Sequence, residues 1–380
     1  LNISPPRVSQ PVHSRVSFVR VLIAPDKFKG SLSSAEAARA IAAGWRSAWP
    51  ECTLELAPIA DGGEGFADAL LHALGGEWIH ARAHDALGRP INARYAWMPR
   101  SRRAVIEMSE ASGLWRLPQD ERDPLRAETF GTGELMRHAV ELGAEEIYVG
   151  LGGSATTDGG AGMAVALGCE LLDKHDCALT PQPQNLPFVH RISRARVPAL
   201  PRITAACDVE NPLLGPRGTA QVFAPQKGAA PATVVLLESA LTHFSNVVQR
   251  ELQSDFRETP GAGAAGGLGF GLLSFANAAV RSGFDIVSEA LDLPGRVGEC
   301  DLVITGEGRI DHQTLEGKGP AGVAALARKA GVPVLAFGGC LEGEPALADC
   351  FDGLCPIVSG PISLVEAMAR GAELLERAAA

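Results

Sequence analysis

Apolar and polar positions along the chain follow two periods. "FVRVLIA" (Phe18–Ala24) is an apolar run of strand length. The following "SSAEAARAIAAGWRSAW" puts Ala38, Ile41, Ala42, Trp45 and Trp49 on one helical face. Ser33 and Glu36 stand at capping-box spacing where that helix begins. "TLELAPI" predicts the next strand, "ADGGEG" a loop and "FADALLHAL" a helix. This alternation is the signature of a parallel sheet with helices on its faces. The C-terminal end repeats it: "CDLVIT" reads as a strand, "GEGRIDHQTLEGKG" as a long loop, and "PAGVAALARKAG" as a helix with proline at its start. "VPVLAF", "GLCPIV" and "SLVEAMARGAELLERAA" continue the pattern.

The middle of the chain differs. "GEWIHARAHDALGRPINARYAWMPRSRRAVIEMSE" alternates with a period of two in three segments joined by turn chemistry, which predicts an antiparallel meander. "GELMRHAVELG" reads as a helix, "EEIYVGL" as a buried strand and "PATVVLLESALTHFSNVVQREL" as a long helix. The pattern gives an α/β fold: a parallel-sheet domain made from both chain ends, residues 18–75 and 271–380, and an inserted mixed α/β domain over residues 76–270. Residues 1–17, with three prolines and no apolar stretch, read as a disordered tail rather than a secretory signal.

At 380 residues the chain can bury several cores without a disulfide or metal staple. The net charge of −10 excludes the broad basic surface that holds nucleic acid, so any bound anion needs a local site of amides, helix ends and a few cations. Eight cysteines form neither a C-x-x-C pair nor a zinc spacing, which fits buried thiols in a reducing cytoplasm. No run of 18 apolar residues suggests a membrane span.

Candidate chemistry gathers in glycine-rich loops at the ends of strands. These are "ADGGEG" after "TLELAPI", "GLGGSATTDGG" after "EEIYV", and "GEGRID" after "LVIT". In open α/β sheets ligands bind at the carboxyl ends of strands, and glycine lets amides approach an anion. One such loop is more often a simple turn; three, each with acids, point to a site. The acids are Asp61, Glu64, Asp158, Glu307 and Asp311, joined by Asp208 in "AACDVENPL". Lys27, Lys29, Lys227 and Lys318 lie beside glycines or strand ends. Carboxylates beside anion-cradling amides suit phosphoryl transfer, where metal and amides neutralise charge and a carboxylate takes the acceptor's proton.

Other signatures fail. No G-x-x-x-x-G-K-[ST] and no G-x-S-x-G is present. "GAGAAG" (Gly261–Gly266) matches G-x-G-x-x-G but follows the polar "QSDFRETP" rather than a strand, which argues against a dinucleotide site. His312 has no partner histidine at metal spacing.

Taken in order, "IAPDKFKGSLS", "PIADGGEG", "RDPL", "GTGEL", "GLGGSATTDGGAGM", "ACDVENPLLG", "FAPQKGA", "PGAGAAGGLG", "ITGEGRID" and "GKGPAGVA" resemble the type I glycerate kinase family from about Val19 to near the C-terminus. The resemblance implies a Rossmann-like domain with a second inserted in it, and ATP-dependent phosphorylation of D-glycerate, most often on the 2-hydroxyl. Lys27, Thr157 and Phe66 depart from the common residues at their positions, and "DKHDCALTPQPQNL" lacks the glycines usual in that loop.

On that resemblance Gly152, Gly153, Ser154, Glu307, Arg309, Asp311 and Lys318 are expected on the nucleotide. Lys27, Lys29, Ser31, Asp61, Gly62 and Gly63 are expected on the acceptor. Asp158, Asp208, Asp61 and Lys29 are the catalytic candidates. Either Asp208 or Asp158 would serve as base or metal partner, with Asp208 the candidate for Mg²⁺ alongside ATP. Asp158 is expected to face the same pocket as Gly152–Ser154. The partners expected are D-glycerate and ATP, with a second copy of the chain as a candidate and neither nucleic acid nor membrane. The rivals are a kinase of a related hydroxy acid, attack on the 3-hydroxyl, and a non-catalytic sugar-acid sensor.

Overall fold

In the computed structural model, residues 19–311, 314, 319–342, 347 and 349–380 are described. The expected tail over residues 1–17, as well as His312 and Lys318, lies outside them.

The strands in chain order are β1 (Arg20–Ile23), β2 (Thr53–Leu56), β3 (Glu77–His84), β4 (Pro90–Met98), β5 (Arg103–Glu107), β6 (Glu146–Gly150) and β7 (Glu170–Leu172). They continue with β8 (Arg191–Ser193), β9 (Arg202–Ala206), β10 (Ala279–Arg281), β11 (Leu302–Ile310), β12 (Val334–Leu341) and β13 (Gly353–Pro356).

The first sheet has the order β13-β12-β11-β1-β2, and every pair in it is parallel. Its strands come from the two ends of the chain. Leu22 points into a core with Phe66, Leu70 and Val323, while Val21 and Ile23 point into another with Ile41 and Leu375. Helices therefore cover both faces, which is why Val21–Ala24 reads as an unbroken apolar run. The helix Ser34–Ala48 begins with the expected capping box: Ser33 N donates to Glu36 Oε2 (2.9 Å), and Glu36 N donates to Ser33 Oγ (3.3 Å).

The second sheet has the order β10-β9-β6-β5-β4-β3. Strands β3, β4 and β5 form the predicted antiparallel meander, and β5, β6, β9 and β10 continue in parallel. The predicted helices appear as Phe130–Glu141 and Pro231–Leu252. Strands β7 and β8 form a separate antiparallel pair. Among the described residues, no helix is long and apolar enough to cross a membrane.

One element differs from its pattern. The stretch "GEGRI", expected as loop, continues β11 through Ile310, pairing Gly306 with Phe337, Glu307 with Gly338 and Arg309 with Cys340. A Cβ on Gly306 would stand 2.3 Å from the Phe337 carbonyl oxygen, so that glycine serves close strand pairing. Glu307 and Arg309 are strand residues, two apart and thus on one face of the sheet.

Candidate active site

Strand β1 crosses over to β2 on one side, whereas β11 leads to β12 and β13 on the other. The connections thus diverge at the β1/β11 junction, and a parallel sheet opens a crevice at the carboxyl ends of its strands there. Asp26 follows β1, and its amide donates to the Gly306 carbonyl of β11 (2.8 Å). A cavity of about 530 Å³ opens at this point, lined by Asp26, Lys27, Lys29, Ser31 and Asp61 on one side and by Glu307, Arg309 and Asp311 on the other. Phe28, Ile357, Val358, Leu364 and Met368 add an apolar wall. Ser31 Oγ donates to the Met368 carbonyl (2.6 Å), tying the loop after β1 to the C-terminal helices.

Lys27 joins the ends of β1 and β2. Its Nζ donates to Asp61 Oδ1 (3.1 Å) and lies 3.6 Å from Asp26 Oδ1. Burial opposes the charge on Lys27, but Asp26 and Asp61 outweigh it and raise its pKa. Burial likewise opposes the charge on Asp61; Lys27 outweighs that and lowers its pKa. For Asp26 burial prevails, aided by the nearby Asp61, and its carboxyl is pushed up to about 6. The result is one firmly ionised carboxylate, Asp61, beside one that titrates more easily. Asp61 also accepts from the Gly63 amide (3.1 Å).

Across the cavity Glu307 accepts from Thr314 Oγ1 (2.7 Å), and burial pushes its carboxyl up to about 7. Arg309 is paired with Asp311 (3.3 Å) and with Glu342.

A second cavity, of about 430 Å³, lies between the two sheets. The loops after β2, β6 and β9 bring Gly62, Gly63, Gly152, Gly153, Ser154 and Asp208 to it, and Lys29 and Asp61 line both cavities. Its glycines do different work. A Cβ on Gly152 would fall 2.3 Å from Gly63 Cα, so these two let the loops of the two sheets meet backbone to backbone. Gly153 is exposed at φ +71°, a conformation that favours glycine. Asp208 Oδ2 is buried without a hydrogen-bond partner, and burial, with Asp61 adding to it, pushes its carboxyl up to about 6.

Asp158 does not face this cavity. Its carboxylate is wholly buried beneath the loop, where Oδ2 accepts from Thr129 N (2.9 Å), Thr129 Oγ1 (2.8 Å) and Gly162 N (2.9 Å) and Oδ1 accepts from Gly160 N (3.2 Å). The helix Ala161–Ala166 starts here, so the acid satisfies amides at the helix start and ties them to Thr129. Lys227 is buried below the same loop, with its Nζ donating to the Thr156 carbonyl (2.5 Å). Burial pulls its pKa down to about 7, against the pull of Asp158.

The nucleotide group expected from sequence is also divided. Glu307, Arg309 and Asp311 line the first cavity, whereas Gly152, Gly153 and Ser154 line the second. Three further residues complete the surroundings; of these Arg122 opens the "RDPL" stretch, which gave it no role in sequence. Arg122 and Trp115 line the second cavity. Glu107 ends β5 and accepts from the amides of Gly65 (3.0 Å) and Ala67 (2.9 Å), tying the second sheet to the helix Phe66–Leu74. Burial pushes Glu107 up to about 7.

Among the described residues no cluster of three or more His, Cys, Asp or Glu side chains has metal-holding geometry. A Mg²⁺ carried with phosphates needs only one or two carboxylates. The partnerless Oδ2 of Asp208, in a cavity shared with Asp61, fits that requirement.

Two cavities at strand ends thus meet at a lysine, Lys29, and an ionised carboxylate, Asp61. The chain belongs to the glycerate kinase family: that family's model matches residues 21–380. It is therefore a phosphotransferase. A glycerate kinase of Bacillus subtilis is 44% identical over 366 residues, covering 95% of this chain and 96% of the relative. A glycerate 2-kinase of Escherichia coli is 44% identical over 329 residues, 86% of each chain. A solved structure assigned as a glycerate kinase 2 from Salmonella typhimurium LT2 superposes with a TM-score of 0.83 at 40% identity, covering 95% of this chain and 96% of that one.

Proposed function

We propose that the enzyme transfers the γ-phosphoryl group of ATP to the 2-hydroxyl of D-glycerate, giving 2-phosphoglycerate. The observation that carries this reading is the meeting of the two cavities at Lys29 and Asp61. A donor in one and an acceptor in the other would share a single reacting region.

We assign the nucleotide to the cavity at the β1/β11 junction. Its apolar wall of Phe28, Ile357, Val358 and Met368 suits a base, and Arg309 and Ser31 stand at its polar side. D-Glycerate is assigned to the cavity between the sheets. Asp61, held ionised by Lys27, takes the proton of the attacking hydroxyl. Lys27 keeps that carboxylate oriented, and Lys29 faces the transferred group from the shared rim. The exposed Gly153 and its neighbours Gly152 and Ser154 present backbone toward the same region, where amides can stabilise the charge that develops. Asp208 is the residue that would hold Mg²⁺, with Asp61 close by; the metal, when bound, neutralises charge on the phosphates. Asp158 acts beneath the site by fixing the loop.

The test is product analysis. The protein, ATP, Mg²⁺ and D-glycerate should yield ADP and a single phosphoglycerate whose ³¹P spectrum is that of the 2-isomer, and EDTA should stop the reaction. Formation of the 3-isomer would overturn the regiochemistry; binding of glycerate without ADP formation would overturn the transfer itself.

A further inference from the structure

Each recess around Lys29 has one arginine on its wall. In the nucleotide-side cavity it is Arg309, which is paired with Asp311 and Glu342. In a third recess of about 410 Å³, beside Ser33 and Glu64, it is Arg94, which is paired with Glu110 (3.1 Å) and stacked on Trp78. In the cavity between the sheets it is Arg122. Among the described residues Arg122 has no carboxylate partner. Its contact is a long hydrogen bond from Nη1 to the Gln226 carbonyl (3.4 Å), and its Nε is buried with no acceptor. Nearby Arg116 also has a buried, unpartnered Nε, but it is neutralised by Glu110 (3.3 Å) and stacked on Trp115.

A guanidinium stays charged, and a buried N–H without an acceptor is uncommon in a finished structure. Its planar fork matches the two oxygens of a carboxylate. We propose that Arg122 is the specificity-determining residue of the acceptor site, receiving the carboxylate of the hydroxy acid in a forked ion pair. This rests on the assignment of the acceptor to the cavity between the sheets. The acid would then be held through two adjacent groups, its 2-hydroxyl at Asp61 and its carboxylate at Arg122. A polyol of the same length without a carboxylate would leave the fork unpaired, so the arginine also provides discrimination.

The experiment compares steady-state kinetics of wild type, Arg122→Gln and Arg122→Lys with D-glycerate, glycerol and ATP. Expected for Arg122→Gln is a KM for D-glycerate raised on the order of 10²-fold, with the KM for ATP within about twofold of wild type. The preference for glycerate over glycerol should collapse. Arg122→Lys should recover only part of it, because an ammonium cannot fork. Circular dichroism and thermal melting should show both variants folded, since Arg122 has no ion pair to lose. An unchanged KM for D-glycerate in Arg122→Gln overturns the inference. So does a rise confined to ATP, which would put a phosphate on the arginine. A wild type that phosphorylates a different hydroxy acid sinks the glycerate reading, and the same comparison made on that acid decides Arg122; a wild type that phosphorylates none overturns both.

Discussion

Lys27 Nζ lies 3.1 Å from Asp61 Oδ1 and 3.6 Å from Asp26 Oδ1, so one ammonium group serves the acids that end two neighbouring strands. It lowers the pKa of Asp61 against the effect of burial. Lys27→Met should remove that support and raise the pKa of Asp61, because burial would then act on it with less to oppose it. The titration of the Asp61 carboxyl, followed by NMR, should move to higher pH by about one unit or more. Asp61→Asn should lower kcat on the order of 10²-fold or more if it is the base. Near-normal turnover by Asp61→Asn would remove it from the chemistry.

Burial pushes the carboxyls of Asp208 and Glu307 up to about 6 and about 7, into the pH range where the enzyme would be assayed. For Asp208 the ionised form is the one that can hold a metal, so kcat/KM should fall as pH drops through about 6. Asp208→Asn should flatten that limb and raise the Mg²⁺ concentration for half-maximal rate by more than about tenfold. Glu307→Gln should leave the limb in place. A limb that vanishes with Glu307 instead would exchange the two roles.

Asp158→Asn should cost stability as well as activity. The native carboxylate accepts from Thr129, Gly160 and Gly162, and an asparagine amide group would point donors at those donors. A loss of about 2–3 kcal/mol is expected, read as a lower urea midpoint. Activity should decline with the loop it supports. A variant with wild-type stability and abolished turnover would return Asp158 to the catalytic set.

Glu107 gives a pH-dependent prediction of opposite sense. Its folded pKa is raised from 4.5 to about 7, so the folded protein binds its proton more tightly than the unfolded chain. Stability from this group is full below pH 4.5 and declines as pH rises to about 7. Glu107→Gln keeps an acceptor for the Gly65 and Ala67 amides but has no charge to bury. It should match wild type near pH 5 and exceed it at pH 8, by at most about 3 kcal/mol. Denaturant titrations at the two pH values read the difference.

The strands, the capping box at Ser33 and the meander were legible because each follows from local period and turn chemistry. The position of the acids was legible for the same reason: Asp61 and Asp208 follow parallel strands and line one cavity. What was not legible depended on partners distant in sequence. Glu307 and Arg309 lie on a strand only because β12 runs beside them, and nothing in "GEGRID" announces that partner. Asp158 has the surroundings of a site residue in sequence, yet Thr129 takes it inward from 29 positions away. Arg122 opens the "RDPL" stretch but stands beside no glycine loop, and what distinguishes it is the carboxylate it lacks in three dimensions.

The contact between Gly152 and Gly63 sets a gauge for the whole molecule. The two sheets are separated at that point by bare main chain, whose thickness is fixed, and by no side chain that could flex. An added methyl group would act as a shim 2.3 Å from the opposite Cα, pushing one sheet's loop off the other. The two cavities meet at Asp61, and Gly63 and Gly152 themselves line the second. On the proposed assignment of the two cavities, the smallest side chain in the repertoire would thus fix the distance a phosphoryl group has to travel.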